Sequence, residues 1–159
     1  RKIVTGEFEM WLPSENVLNK GTAFLYPSEQ RTLTVPSTAD RVISVGAYDA
    51  LTFTYADFSG RGGEGKPDLV APGVRVVAPT REGTYEAVSG TSFATPFVAG
   101  AAALLMEWGI VRGNDLYLYG EKVKAYLQRG ARPLPVFIEY PNKQVGYGAL
   151  CVRDSLPLF

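Results

Sequence analysis

The chain has 159 residues, 46% of them hydrophobic, which is enough for one globular domain with a real core. Its 16 basic and 16 acidic side chains cancel, so charge draws it to neither nucleic acid nor an anionic membrane surface. Histidine is absent, and Cys151 is the single cysteine; an internal disulfide is excluded and a buried, small apolar role is expected for it.

Arg1-Lys2 leads into an alternating segment containing Glu7 and Glu9, unlike a signal peptide. Residues 3–12 alternate apolar and polar positions over part of their length, as a half-buried strand does, and Pro13 stops them. Residues 14–20 are polar and turn-like, and residues 22–26 and 32–35 are further strand candidates. Such short strands read as the end of an antiparallel β module. The plainer alternative is that they are edge strands of the main domain.

From Pro36 onward the pattern is α/β. Residues 42–47 are a short, nearly all-apolar run that suits a strand buried on both faces, with residues 51–55 as a hairpin partner. Residues 58–66 carry four glycines and read as a loop. Residues 69–73 give a short strand closed by Pro72 and Gly73. Residues 75–78 and 84–88 give two more strands around a turn at residues 81–83. Asp49, Asp57 and Asp68 are scattered, so surface or turn positions are expected for them and no metal site stands out.

The second of those strands delivers the chain to Ser89-Gly90-Thr91-Ser92, and then to a helix of Ala, Gly, Val and Leu with no charge before Glu107. Gly90 permits an unusual backbone and a close approach. Ser92 falls where the first helical N–H groups lack intrahelical partners, a place that favours a developing oxyanion. Pro96 fits the first turn, where its missing N–H costs little. The plain alternative is an N-cap serine on a core helix. The uncharged run of residues 93–106 is too short and too rich in Ala and Gly to span a bilayer. Trp108-Gly109 is expected to close this helix. Asn114-Asp115 offers a cap for a second helix over residues 119–128, on which Lys122 and Lys124 occupy a solvated face. Residues 136–140 are a last strand candidate, and Gly146-Tyr147-Gly148 gives a tight turn.

Gly90-Thr91-Ser92-Phe93-Ala94-Thr95-Pro96-Phe97-Val98-Ala99-Gly100 resembles the nucleophile signature of the subtilisin-like serine proteases, G-T-S-x-A-[ST]-P-x-V-[AS]-G. Val42-Ile43-Ser44-Val45-Gly46-Ala47, Phe58-Ser59-Gly60-Arg61-Gly62, Lys66-Pro67-Asp68-Leu69-Val70-Ala71-Pro72-Gly73 and Gly146-Tyr147-Gly148-Ala149-Leu150 follow in the family's order. The resemblance implies that Ser92 is the nucleophile and that Ser89, Gly90 and Thr91 line the oxyanion and substrate region. It implies a parallel sheet flanked by helices, no cofactor, and a protein or peptide substrate. Phe97 departs from the His that many subtilases carry there, implying a more apolar setting beside the nucleophile helix.

A serine needs a base, and in this family a His oriented by an Asp, both N-terminal to the Ser, provides one. With no histidine, the chain resembles the C-terminal half of a catalytic domain, inactive alone and completed by an N-terminal half bearing Asp and His. A dyad with Lys122 or Lys124 is not expected. The related sedolisins use carboxylates in place of His, but the helix motif looks more like the subtilisin form. Phe8-Glu9-Met10-Trp11-Leu12-Pro13, Thr32-Leu33-Thr34-Val35-Pro36 and the segment after it are similar to the clostridial spore-germination subtilases, the Csp proteins, in which a jelly-roll domain is inserted between the His and Ser parts. That similarity implies an inserted module ending within residues 1–34, a catalytic part over residues 35–159 and limited proteolysis of a precursor, with a bacterial spore or extracytoplasmic location. A pseudoprotease scaffold is the alternative. The isolated chain is expected to self-associate, because the missing half would cover a sheet edge and an apolar face.

Overall fold

The uncharged Val45-Gly46-Ala47 run forms the strand on which the rest is assembled. In the computed structural model, which describes residues 6, 8–13, 15–63 and 65–157, β1 (Val45–Asp49) lies parallel to β3 (Leu69–Pro72), with Val45 opposite Leu69 and Tyr48 opposite Pro72. β2 (Thr54–Tyr55) turns back antiparallel onto the end of β1, placing Tyr55 opposite Tyr48. Residues 148–150 continue the sheet beyond β3: the Val70 N–H donates to the Gly148 carbonyl at 2.9 Å and the Leu150 N–H to the Val70 carbonyl at 2.8 Å. β4 (Val76–Pro79) and β5 (Tyr85–Val88) form a separate antiparallel hairpin. The expected strand at residues 42–47 begins later, because the Ser44 N–H is taken by the Asp68 carboxylate at 2.7 Å.

α1 (Thr91–Met106) packs on one face of this sheet. Ala47, Ala71 and Ala94 are completely buried at that contact, and their small side chains let the helix come close. Val98, Ala101 and Leu105 extend the core toward Val123 and Leu127 of α2 (Gly120–Arg129). On the opposite face Tyr48 and Val70 pack with Leu134, Val145 and Ala149, so loops rather than helices cover that side. Gly146 seals this layer: at φ 56° it sits so near β3 that a Cβ would lie 2.1 Å from the Pro67 carbonyl oxygen.

Several sequence expectations are corrected. α1 does not stop at Trp108-Gly109; it runs into a π turn, Glu107–Val111, where the Arg112 N–H reaches the Glu107 carbonyl at 3.0 Å. Gly109 serves packing instead, since a Cβ there would meet Leu118 Cδ2 at 2.6 Å. Helix and π turn together span 21 residues, long and apolar enough to cross a bilayer by length and composition, unlike the shorter run of residues 93–106. The inner stripe of α1 instead faces the sheet, while Phe97, Leu104, Met106, Ile110 and Val111 are exposed. Asn114-Asp115 does not cap α2. The Asn114 amide donates to the Trp108 carbonyl, and Asp115 accepts from Lys122 at 2.6 Å and the Tyr126 hydroxyl at 3.0 Å. Lys122 beside Asp115 holds its carboxyl below the usual carboxylate range.

Residues 136–140 are not a strand, for the Tyr140 hydroxyl curls back onto the Leu134 N–H and carbonyl at 2.7 and 3.1 Å. Cys151 is half-buried and precedes α3 (Val152–Ser155). Among the described residues before β1 no strand forms, and residues 3–5 and 7 of the expected first strand lie outside them. A 3-10 turn at Glu15–Val17 is the regular element there. Pro13, Gly21, Pro27 and Pro36 break this stretch too often for a ladder. It is tied by side chains instead: the Trp11 indole donates to the Arg31 carbonyl at 3.0 Å, and Arg31 pairs with Glu9.

Asp57 falls at an exposed turn as expected, but Asp49 ends β1 with its side chain largely buried against Arg75, and Asp68 is completely buried. Its carboxylate accepts from the Ser44 N–H, from Lys66 and Lys124 at 2.8 Å each, and from Gln128 at 2.9 Å. Both ammonium groups also reach the Val42 carbonyl, and Lys124 reaches that of Asp40. Lys124 therefore leaves its expected solvated face to join the entries to β1 and β3 with α2. Burial holds the Lys66 ammonium below the usual lysine range, against the pull of Asp68. Asp68→Asn would leave two buried ammonium groups without a counter-charge, so chemical denaturation should show a loss of about 3–5 kcal/mol. Lys66→Met keeps the Asp68–Lys124 pair and should cost less than half as much. Equal losses for the two variants would refute this assignment.

Candidate active site

Ser92, expected from the sequence to be the nucleophile, lies just past the junction of β5 and α1. Gly90 precedes the helix with φ 155° and ψ 155°, a region essentially restricted to glycine, and no side chain caps this N-terminus. The Ser92 hydroxyl is therefore not an N-cap: Ser92 is the second helical residue, and it is exposed. The Phe93 N–H turns back to the Gly90 carbonyl at 3.0 Å. In this geometry the Thr91 and Ser92 N–H groups precede the helical ladder and point outward from a positive helix end. An exposed hydroxyl, outward donors and a favourable dipole thus occupy one turn.

What holds that turn is a second glycine. The Gly90 N–H donates to the Gly73 carbonyl at 2.8 Å, and the Gly73 N–H donates to the Tyr48 carbonyl at 3.1 Å. A Cβ on Gly73 would lie 2.6 Å from the Ala47 methyl and 3.1 Å from the Gly90 carbonyl oxygen. The start of the helix is thereby pinned to the ends of β1 and β3. Gly73 was legible from the sequence as a turn; its role as an anchor was not, because it depends on α1 crossing above it.

Ser89 faces a different task. Its hydroxyl accepts from the Arg75 N–H at 2.9 Å and closes the base of the hairpin, while the Arg75 guanidinium reaches Asp49 at 2.8 Å and ties the hairpin to β1. The Thr91 carbonyl accepts from the Thr95 hydroxyl at 3.0 Å. Thr91 also borders a cavity of about 770 Å³ that runs between Val45, Phe58, Ser59 and Thr34; Ser92 lies outside its lining. Phe97, one turn along α1, is 43% exposed.

Among the described residues, no side-chain base hydrogen-bonds to Ser92, and neither candidate lysine is free to do so. Lys122 is engaged with Asp115, and Lys124 with Asp68. Asp115 raises the Lys122 ammonium above its ordinary range, which opposes its use as a neutral base near pH 7. Among the described residues, no group of three or more Cys, Asp or Glu side chains converges in a metal-binding arrangement. Among the described residues the turn thus presents a hydroxyl and free helix N–H groups with no side-chain base beside them, and acyl-transfer chemistry there would need a proton acceptor from elsewhere.

The Asp68 cluster also escaped the sequence reading. A signal was present, since Asp68 is followed directly by the apolar Leu69-Val70-Ala71, and a carboxylate entering a buried strand requires cationic partners.

The Subtilase family model matches residues 19–148. The serine protease AprX of Bacillus subtilis (strain 168) is 33% identical over 153 residues, covering 81% of this chain and 33% of its own. Among solved structures, the Clostridium perfringens CspB protease superposes with a TM-score of 0.81 at 46% identity, over 87% of this chain and 30% of that one. The prenylagaramide maturation protease PagA gives 0.62 at 33% identity, over 76% and 43%. The chain thus spans about a third of the length of the curated relative AprX and less than half of either solved protein. With the signature on an uncapped helix, the parallel sheet behind it and a family match over most of its length, the chain belongs to the subtilase family of serine peptidases.

Proposed function

We propose that this chain is the C-terminal portion of a subtilisin-like serine endopeptidase and supplies its nucleophile, Ser92. The observation that carries this reading is the setting of Ser92: an exposed hydroxyl at the start of an uncapped helix, behind a backbone conformation that needs Gly90. Ser92 Oγ attacks the peptide carbonyl and its proton passes to a His outside this chain, which an Asp, also outside it, orients. The tetrahedral oxyanion is received by the Ser92 N–H and by an upstream Asn. Gly90 and Thr91 shape the approach, and the Ser89 backbone lines the cleft while its hydroxyl holds the hairpin.

Residues 1–34 are, on this reading, the end of an inserted jelly-roll module, and residues 35–159 the C-terminal part of the catalytic domain. The substrate is a protein precursor cut at a limited number of sites. The likeness to a protein described as a maturation protease favours limited cleavage over general digestion. The likeness to CspB favours processing in spore germination. The partner is the N-terminal half of the same polypeptide, which covers the exposed apolar side of α1.

Fluorophosphonate labelling of the full-length polypeptide tests the reading. Labelling is expected in the parent, absent after Ser92→Ala, and absent from the 159-residue chain, whose base is missing. A folded parent that stays unlabelled would instead support the scaffold alternative. Separated from its partner, the chain should self-associate through its apolar helix face. A monodisperse monomer at high concentration in light scattering would count against that.

A further inference from the structure

We infer that Arg75 is a positioning residue for Ser92, and that Asp49 holds it to that task. The inference rests on the reading of Ser92 as the nucleophile and adds a contact that keeps it in place. It starts from a strained backbone. Arg75 has φ 51°, in the left-handed region where a Cβ crowds the neighbouring carbonyl. A glycine would carry no such penalty. An arginine kept in so sparsely populated a conformation points to a task for its side chain.

That side chain reaches out of the hairpin to β1. Its guanidinium donates to Asp49 Oδ2 at 2.8 Å, while Asp49 Oδ1 accepts from the Leu51 N–H at 2.9 Å. The carboxylate is thus oriented by its own turn, and it is only 14% exposed. Within the hairpin, the Arg75 N–H donates to the Ser89 hydroxyl at 2.9 Å, and the Gly90 N–H donates to the Gly73 carbonyl at 2.8 Å. Residues 73–75 and 89–90 therefore form one closed unit at the foot of the hairpin, and Ser92 follows it directly into α1.

This unit is attached to β1 at two neighbouring residues. One attachment is the hydrogen bond from the Gly73 N–H to the Tyr48 carbonyl at 3.1 Å, and the other is the pairing of Arg75 with Asp49. A single hydrogen bond leaves a pivot, about which the foot of the hairpin and the first turn of α1 can shift. Two attachments fix its orientation. An ion pair whose arginine is 58% exposed contributes little to stability. Its consequence falls instead on where Ser92 is held, and misplacing a reacting group by about 1 Å costs on the order of 100-fold in rate.

Arg75→Asn in the full-length protein tests the inference. Asparagine tolerates the left-handed conformation and keeps the N–H to Ser89, but it is too short to repeat the contact with Asp49. The melting temperature should stay within about 4 °C of the unmodified protein. Ser92 should react with a saturating fluorophosphonate at least about tenfold more slowly, at unchanged apparent affinity for the reagent. Arg75→Lys still brings a charged donor to the carboxylate and should react within about threefold of the unmodified rate. Reaction of Arg75→Asn at the unmodified rate would overturn the inference. A slowing that Arg75→Lys shares in full, a loss confined to affinity, or a larger fall in melting temperature would overturn it equally. If the unmodified protein does not label at all, the protease reading fails, and exchange of the Gly90 amide still decides the present inference. That amide should exchange at least about tenfold faster in Arg75→Asn, and equal rates would overturn the assignment.

Discussion

The backbone contact between Gly73 and Gly90 is the constraint on which the site depends. β3 ends in Pro72 and Gly73, and the chain must leave the sheet, form the β4–β5 hairpin and return to start α1 above its own exit point. The 2.8 Å hydrogen bond from Gly90 to Gly73 closes that circuit. Each glycine answers a separate demand. Gly90 supplies a backbone conformation that a side chain would forbid, and Gly73 supplies room between Ala47 and Ala94. Ser92 inherits its position from both, so its exposure is a property of the sheet-to-helix crossing and not of the serine itself.

A second restraint acts at the opposite end of the strands. Asp68 collects Ser44, Lys66, Lys124 and Gln128 about one buried carboxylate, which locks the entry to β1 against the entry to β3 and both against α2. Two ammonium groups for one carboxylate is an expensive arrangement in a low-dielectric interior. The Asp40 and Val42 carbonyls share the excess charge. With glycine at one end of the strands and the ion cluster at the other, the register of β1 on β3 is fixed at both ends, and α1 rests on a rigid platform.

Much of this was legible in the sequence, for identifiable reasons. The apolar run about Val45 to Ala47, the Pro72-Gly73 stop, the hairpin and α1 all have local signals, and each appears within a few residues of its expected place. The α2 pattern of Val123 and Leu127 against charged neighbours was equally clear. What failed depends on distant partners. Residues 136–140 look like a strand until Tyr140 curls back on Leu134, and residues 22–26 and 32–35 have strand composition without a continuous ladder beside them. Asp68 looked like a turn residue because its partners lie as far away as Lys124 and Gln128. In the site itself, the motif located Ser92, but the anchor at Gly73 and the task of Ser89 on Arg75 needed three dimensions.

The central claim is that the Gly73–Gly90 contact sets the reactivity of Ser92, and Gly73→Ala in the full-length protein tests it most directly. The added methyl would lie 2.6 Å from that of Ala47, both fixed to backbone, so the helix start must shift at a cost of about 1–3 kcal/mol. The account predicts a variant that still folds, with a lowered melting temperature, and reacts with a fluorophosphonate at Ser92 at least about tenfold more slowly, as expected when a reacting group is misplaced by a fraction of an ångström. A folded Gly73→Ala protein whose Ser92 reacts at the unmodified rate would contradict it.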